Sequence, residues 1–212
     1  MLFDFATMPP GIGYKLMVST ITPRPIAWVV SQDTSGLLNA APYSFFNAFS
    51  SDPPVIGIGV GRRTSGGAKD TRSNIAATGE FVVNLVSETT APAMNVTAIE
   101  FPPGVDELSE AGLSTCASAR VKPPRIAESP VAFECSLLQI VEFGPDNGLV
   151  LGRVLAIHIR DEAVIDAGHG YVDTPSLRLV GRMHGTGWYA RTTDLFEMPR
   201  IPVAEWRRRT GR

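Results

Sequence analysis

Only two cysteines, Cys116 and Cys135, stand in the 212-residue chain. They are far apart and form no C-x-x-C, so they read as buried thiols rather than a redox pair. The three histidines, His158, His169 and His184, are not at metal-ligand spacing and no carboxylate pair accompanies them, which argues against metal and hydrolytic chemistry. No G-x-S-x-G elbow is present. Neither sign of charge is in excess: 19 Lys and Arg face 21 Asp and Glu, a net charge of -2. No global field therefore favours nucleic acid, and phosphate recognition would have to come from a local cluster. The one dense basic run, Arg207-Arg208-Arg209, reads as a solvated tail. No apolar run reaches the ~18 residues of a spanning helix. The opening Met1-Leu2-Phe3-Asp4-Phe5 lacks the basic and apolar regions of a signal peptide. The expectation is a soluble, cytoplasmic protein that engages neither membrane nor nucleic acid.

What is present points to a folded, turn-rich chain. Hydrophobic residues make 44% and charged residues 19%, too apolar a balance for disorder. Twenty glycines and 17 prolines imply many turns without reaching low-complexity levels. Short β-branched segments recur between turn residues: Pro25–Ser31, Leu37–Ala41, Val55–Val60, Glu80–Val86, Val131–Phe143, Leu149–Arg160, Leu177–Met183 and Trp188–Thr192. Gly144-Pro145-Asp146-Asn147-Gly148 has the chemistry of a hairpin connection. Helical signal is confined to Asp70–Thr78 before Gly79, Asp106–Ala111 before Gly112, and a turn or two between Ala91 and Ala98. Strands outnumber helices and do not alternate with them, so an antiparallel barrel with short helices in its loops is expected, over a single domain 1–212.

Familiar nucleotide motifs fail letter by letter. Gly57-Ile58-Gly59 would need glycine at position 62, where Arg62 stands, and Gly66 is followed by Gly67 rather than the lysine of a P-loop. A less familiar cradle survives. Gly61 to Asn74 carries Arg62, Arg63, Lys69 and Arg72 with three glycines, and runs from a strand end into a helix start. Accessible backbone N–H groups and a helix N-terminus would stabilise a phosphate monoester there. The competing reading is a helix capped by Asp70 with solvated arginines. Asn39 to Asn47 mixes small, aromatic and hydrogen-bonding residues, which suits a flat, partly polar heterocycle but equally a core strand entering a loop. The glycines of Val55–Val60 leave room for another backbone or a flat ligand.

Taken in order, these segments resemble the flavin reductase-like, FMN-binding split-barrel family. The resemblance is carried by Tyr14-Lys15-Leu16, Pro23-Arg24-Pro25-Ile26-Ala27-Trp28-Val29, Asn39 to Phe46, Asp52-Pro53-Pro54, Lys69-Asp70-Thr71 with Asn74, and Glu80 to Leu85. It continues through Met94-Asn95, Pro123-Pro124-Arg125, Glu134-Cys135 and Leu151-Gly152 to Gly181-Arg182, spanning a core of about 14–196 with a C-terminal tail 197–212. The resemblance implies a mainly β, six-stranded antiparallel split β-barrel of Greek-key type that binds FMN non-covalently as a homodimer. It places Lys69, Thr71 and Asn74 on the phosphate side, with Arg62 or Arg63 as helpers. It lines the flavin ring with Arg24, Pro25, Ala27 and Trp28, and with Asn39, Ala41, Pro42, Tyr43, Ser44 and Phe45. One departure stands out: many relatives carry an Arg-Leu-Gly-Gly-like segment where this chain has Arg182-Met183-His184-Gly185, which puts His184 on the substrate side.

The implied activity is an oxidoreductase in which NADH or NADPH reduces FMN and reduced flavin serves a substrate or a partner flavin-dependent monooxygenase. The cofactor carries the difficult chemistry, so no triad or metal is required. The alternative from a different class is an FMN-binding electron carrier or flavin-storage protein without nicotinamide turnover.

Overall fold

The computed structural model describes residues 1–9, 11–102 and 104–211. Its main sheet has seven antiparallel strands: β1 (Ala27–Gln32), β2 (Leu38–Tyr43), β3 (Phe46–Ser51), β4 (Pro54–Val60), β5 (Glu80–Leu85), β6 (Val131–Gly144) and β7 (Asn147–Ile159). Their order is β2-β1-β5-β6-β7-β4-β3. The helices are α1 (Ile12–Thr20), α2 (Asp70–Thr78), α3 (Ala91–Val96), α4 (Glu107–Glu110) and α5 (Val203–Thr210).

Side chains alternate across a strand, and here both faces of the central strands are covered. Ala27 and Val29 of β1 join Ile56, Ile58, Val60, Phe81, Val83 and Val150 in one core. Trp28 and Val30 join Val82, Met94, Leu108 and Ile126 in a second, closed from outside by α3, α4 and the segment that follows them. That double burial is why β1 and β5 read as continuous apolar runs. The register sets Val29 opposite both Ala41 and Val83.

The connection from β2 to β3 shapes the sheet. These strands lie at opposite edges, yet only Ser44 and Phe45 separate them. Three Cα steps of 3.8 Å bridge at most ~11 Å, so the sheet must curl until its two edges meet at this corner. The Phe45 carbonyl accepts a hydrogen bond from the Gly59 amide at 2.7 Å.

This arrangement corrects the expected six-stranded barrel: the sheet has seven strands, and it curls without closing into a hydrogen-bonded cylinder. The additional strand is β3. It is exposed along nearly its whole length, so it has no buried face and shows no apolar alternation to read. The segments near 180 and 190, expected as barrel strands, form a separate two-stranded ribbon, Val180–Arg182 against Tyr189–Arg191, which touches the main sheet's surroundings through isolated bridges from Arg182 to Arg24 and from Leu179 to Ser87. The glycines of β4 make room for the chain's own edge strand. A Cβ on Gly57 would lie 2.6 Å from the Phe49 ring, and one on Gly59 would lie 2.9 Å from the Phe45 Cβ. The hairpin between β6 and β7 is tighter than the five-residue connection expected, with Gly144 already paired to Asn147. Helices α2, α3 and α4 form where helical signal was read, and Gly79 ends α2 at φ 73°. Helices α1 and α5 lacked a comparable signal.

Candidate functional site

Between β4 and α2 the chain folds into a tight loop. The Arg63 amide donates to the Gly67 carbonyl at 3.0 Å, and the Gly66 amide donates to the Arg63 carbonyl at 3.0 Å. Gly66 and Gly67 take φ of 89° and 88°, left-handed values that suit glycine. Lys69 then occupies the N-cap of α2 in extended conformation, so the helix begins with its free N–H groups and positive dipole end at this loop.

The four cations of the segment divide into two pairs. Arg63 forms an ion pair with Asp70, and Arg72 forms one with Glu142. The Asp70 charge that would repel an anion is thereby matched. Arg62 and Lys69 have no carboxylate partner among the described residues. The Lys69 ammonium lies 5.8 Å from the centroid of the Tyr43 ring.

Two neighbouring cavities share Pro42, Tyr43 and Lys69 as a common wall. The smaller, about 240 Å³, is also lined by Asn39, Ala41, Arg63, Thr71, Glu100 and Glu107. The larger, about 520 Å³, is lined by Tyr14, Ser44, Phe45, Arg62, Phe143 and Asn147 among others. β2 supplies the wall between them, and the α2 N-terminus supplies its charge.

A buried hydrogen-bond chain stiffens this wall. The Tyr43 hydroxyl donates to Thr71 Oγ1 at 2.9 Å, and Thr71 Oγ1 donates to Asn39 Oδ1 at 2.7 Å. The Asn39 amide donates to Glu107 Oε1 at 2.9 Å, and the Ala40 backbone amide donates to Glu107 Oε2 at 3.0 Å. A carboxylate accepts only, so Glu107 orients every donor in the chain toward itself. Burial pushes the Tyr43 phenol well above its ordinary value. Burial also raises Glu107, with the Ala40 and Asn39 donors opposing and the Asp70 charge adding to the rise. Together these bonds tie β2, α2 and α4 into one unit.

The expected site residues divide by location. Asn39, Ala41, Pro42, Tyr43, Arg63, Lys69 and Thr71 line the smaller cavity. Ser44, Phe45 and Arg62 line the larger. The Thr71 hydroxyl is already committed to Tyr43 and Asn39. Asn74 faces a separate cavity of about 180 Å³ and bonds Ser31 Oγ at 3.3 Å. Arg24 and Pro25 lie on the far side of the β2–β3 corner, along a cavity of about 190 Å³ that also touches Ser44 and Phe45.

Ala27 and Trp28 belong to the interior, each 0% exposed. Trp28 Nε1 donates to Thr97 Oγ1 at 2.9 Å, so neither residue offers a surface to a ligand in these cavities. Ile26, Ala27 and Trp28 are apolar because they are core. His184 is exposed on a loop, stacked on Trp188 with ring centroids 6.1 Å apart, and lines neither the larger nor the smaller cavity. Sequence reasoning missed Glu107, Tyr14, Phe143 and Asn147 as wall residues. An acidic residue in the first turn of a short helix reads as a dipole complement, and no local pattern reveals a partner 68 positions away.

Residues 18–175 match the model of the flavin reductase like domain. A Deinococcus radiodurans protein described as uncharacterized is 43% identical over 208 residues, covering 96% of this chain and 91% of its own. Among solved structures, nitrilotriacetate monooxygenase component B from Bacillus cereus is 32% identical with a TM-score of 0.87, covering 93% of this chain and 98% of its own. The 2-nitrobenzoate 2-nitroreductase NbaA of Pseudomonas fluorescens is 33% identical with a TM-score of 0.86, covering 96% and 97%.

Proposed function

We propose, from the premise that this chain belongs to the flavin reductase-like family, that it is an FMN-binding oxidoreductase using NADH or NADPH as electron donor. The observation that carries the reading is the wall shared by the two cavities, where unpaired Lys69 and the start of α2 meet the strand end Ala41-Pro42-Tyr43. The residues fit the cofactor. Lys69 and the first N–H groups of α2 would hold a phosphate monoester, and Ala41, Pro42 and Tyr43 offer the small and aromatic surface that a flat heterocycle needs. When bound, FMN would supply reversible two-electron chemistry.

The chain's own residues bind and orient. Glu107, Asn39 and Thr71 hold the Tyr43 ring in place, and the Arg63–Asp70 pair keeps the loop folded against α2. The size of the larger cavity leaves space beside the shared wall for a second reactant. The similarity to a monooxygenase component supports delivery of reduced flavin to a partner flavin-dependent monooxygenase, and the exposed β3 edge supports a homodimer.

The purified protein should show a flavin spectrum, alone or after adding FMN, and should consume NADH or NADPH when FMN is present. A colourless protein that fails to bind added FMN would overturn the proposal. Binding without turnover of either donor would leave an electron carrier or flavin-storage protein instead.

A further inference from the structure

Tyr14 and Phe45 both line the larger cavity, with ring centroids 6.3 Å apart and planes tilted by 32°. Both are markedly exposed for aromatic residues, Tyr14 at 64% and Phe45 at 43%. Carbon surfaces stack at ~3.5 Å, so a flat ring between two others requires a centroid spacing of about 7 Å. The pair stands less than about 1 Å from that spacing.

A single buried guanidinium links the two elements that carry these rings. Arg24 is 6% exposed and has no carboxylate partner among the described residues. Its Nη1 donates to the carbonyls of Val18 at 2.6 Å and Ile21 at 2.7 Å, at the carboxyl end of α1, where the helix dipole favours a cation. Its Nη2 donates to the Met183 carbonyl at 2.9 Å, and its Nε donates to Ser44 Oγ at 3.3 Å. One end of Arg24 therefore holds the helix that carries Tyr14, and the other holds the residue next to Phe45. Helix α1 buries only Val18 among its own residues, so Arg24 is its principal tether.

We propose that Tyr14 and Phe45 form an aromatic jaw that receives one planar, unsaturated ring of an anionic second reactant, and that Arg24 is the positioning residue that sets its width. Arg62 lines this cavity and not the smaller one, and it supplies the charge complement. The assignment rests on the reading of the site as that of a flavin reductase. The same chemistry fits the nicotinamide ring of the electron donor or an aromatic carboxylate acceptor.

Binding is measured by calorimetry on the protein as purified, and again with FMN added. The probes are NADH on the flavin-free protein and NAD+ once FMN is added, 4-nitrobenzoate, and cyclohexanecarboxylate as a non-planar anion. Tyr14→Ala should weaken the planar probe that binds by about fivefold, whereas Tyr14→Phe and the wild type agree within about twofold. The FMN affinity of Tyr14→Ala should stay within about twofold of the wild type. Ser44→Ala, which removes one bond of Arg24, should weaken the same probe by a larger factor than it weakens FMN. Which probe responds separates donor from acceptor.

Equal losses for cyclohexanecarboxylate, an unchanged Tyr14→Ala variant, or no binding of either planar probe would overturn the jaw. A parallel loss of FMN affinity would make the flavin ring the occupant and overturn it too. A fall in sedimenting mass for Tyr14→Ala that accounts for the loss would make a second copy of the chain the occupant, and the jaw would again be overturned. Failure of the wild type to bind FMN overturns the functional reading instead, and the probe titrations without FMN still decide the jaw.

Discussion

Among the described residues two glutamates are buried, and their surroundings push them in opposite directions. Glu107 lines the smaller cavity and accepts from the Ala40 backbone amide and the Asn39 side chain, both neutral. Glu134 of β6 is fully buried and lines none of the cavities of the site. It accepts from the amides of Ala119 at 2.8 Å and Arg120 at 2.5 Å, and it meets His158 Nε2 at 2.5 Å. Burial alone would raise both carboxyls. At Glu107 burial prevails and the group is raised; at Glu134 the two amides and the imidazole outweigh burial and the group is lowered. The contrast separates a carboxylate that anchors a loop to the sheet from one held in poorer compensation behind a binding surface.

The largest effect expected from breaking this contrast is on the anchoring side. Glu134→Ala leaves two amides and the His158 ring without their acceptor and should cost about 3–5 kcal/mol of stability. Denaturant titration measures it, and a loss below about 1 kcal/mol would show that the segment around Ala119 is held by other means. The next effect lies on the binding side. Lys69→Ala should leave stability nearly unchanged and weaken FMN by the worth of a charged hydrogen bond, about 1.5–3 kcal/mol. Fluorescence titration of FMN reads it, and unchanged affinity would remove Lys69 from the phosphate side.

Glu107→Gln tests how the two regions differ in tolerance. The Asn39 side chain can turn its oxygen toward the new amide, at the expense of its bond from Thr71, so a stability loss of only about 0.5–1.5 kcal/mol is expected. The same change should weaken FMN binding, because the bonds that hold Tyr43 are rearranged. Stability lost with FMN affinity intact would make the Glu107 chain structural only.

The contrast also marks what could be read from the sequence. Strands β1 and β5 were legible because a buried strand writes its burial into consecutive apolar residues, as Phe81 to Val83 do, and β6 and β7 because turn residues separate two long β-branched runs. The start of α2 and its cations were legible because Lys69, Thr71 and the glycines before them lie within a few positions of one another. Strand β3 was not, since an edge with no buried face carries no pattern. Trp28 was misplaced because an aromatic residue beside a motif looks the same whether it faces a ligand or the core. Glu107 and Tyr14 were illegible for another reason: each acquires its role from a partner distant in the chain, Asn39 for one and Phe45 for the other.

The smallest and most discriminating effect concerns pH. Glu134 has a folded-state pKa below its unfolded value, so its contribution is complete above the ordinary carboxylate range and is lost as pH falls through the folded pKa. Glu107 has a folded-state pKa above its unfolded value, so its contribution is complete below the ordinary range and is lost as pH rises through the folded pKa. The two groups tilt the stability curve in opposite senses on either side of about pH 4.3. Glu134→Gln should flatten the loss of stability on acidification, and Glu107→Gln should flatten the decline on the alkaline side of that range. Denaturant midpoints of both variants and the wild type between about pH 3 and pH 8 measure the slopes. If both substitutions change the slope in the same sense, the two carboxyls share one environment, and the distinction between an anchoring and a binding glutamate fails.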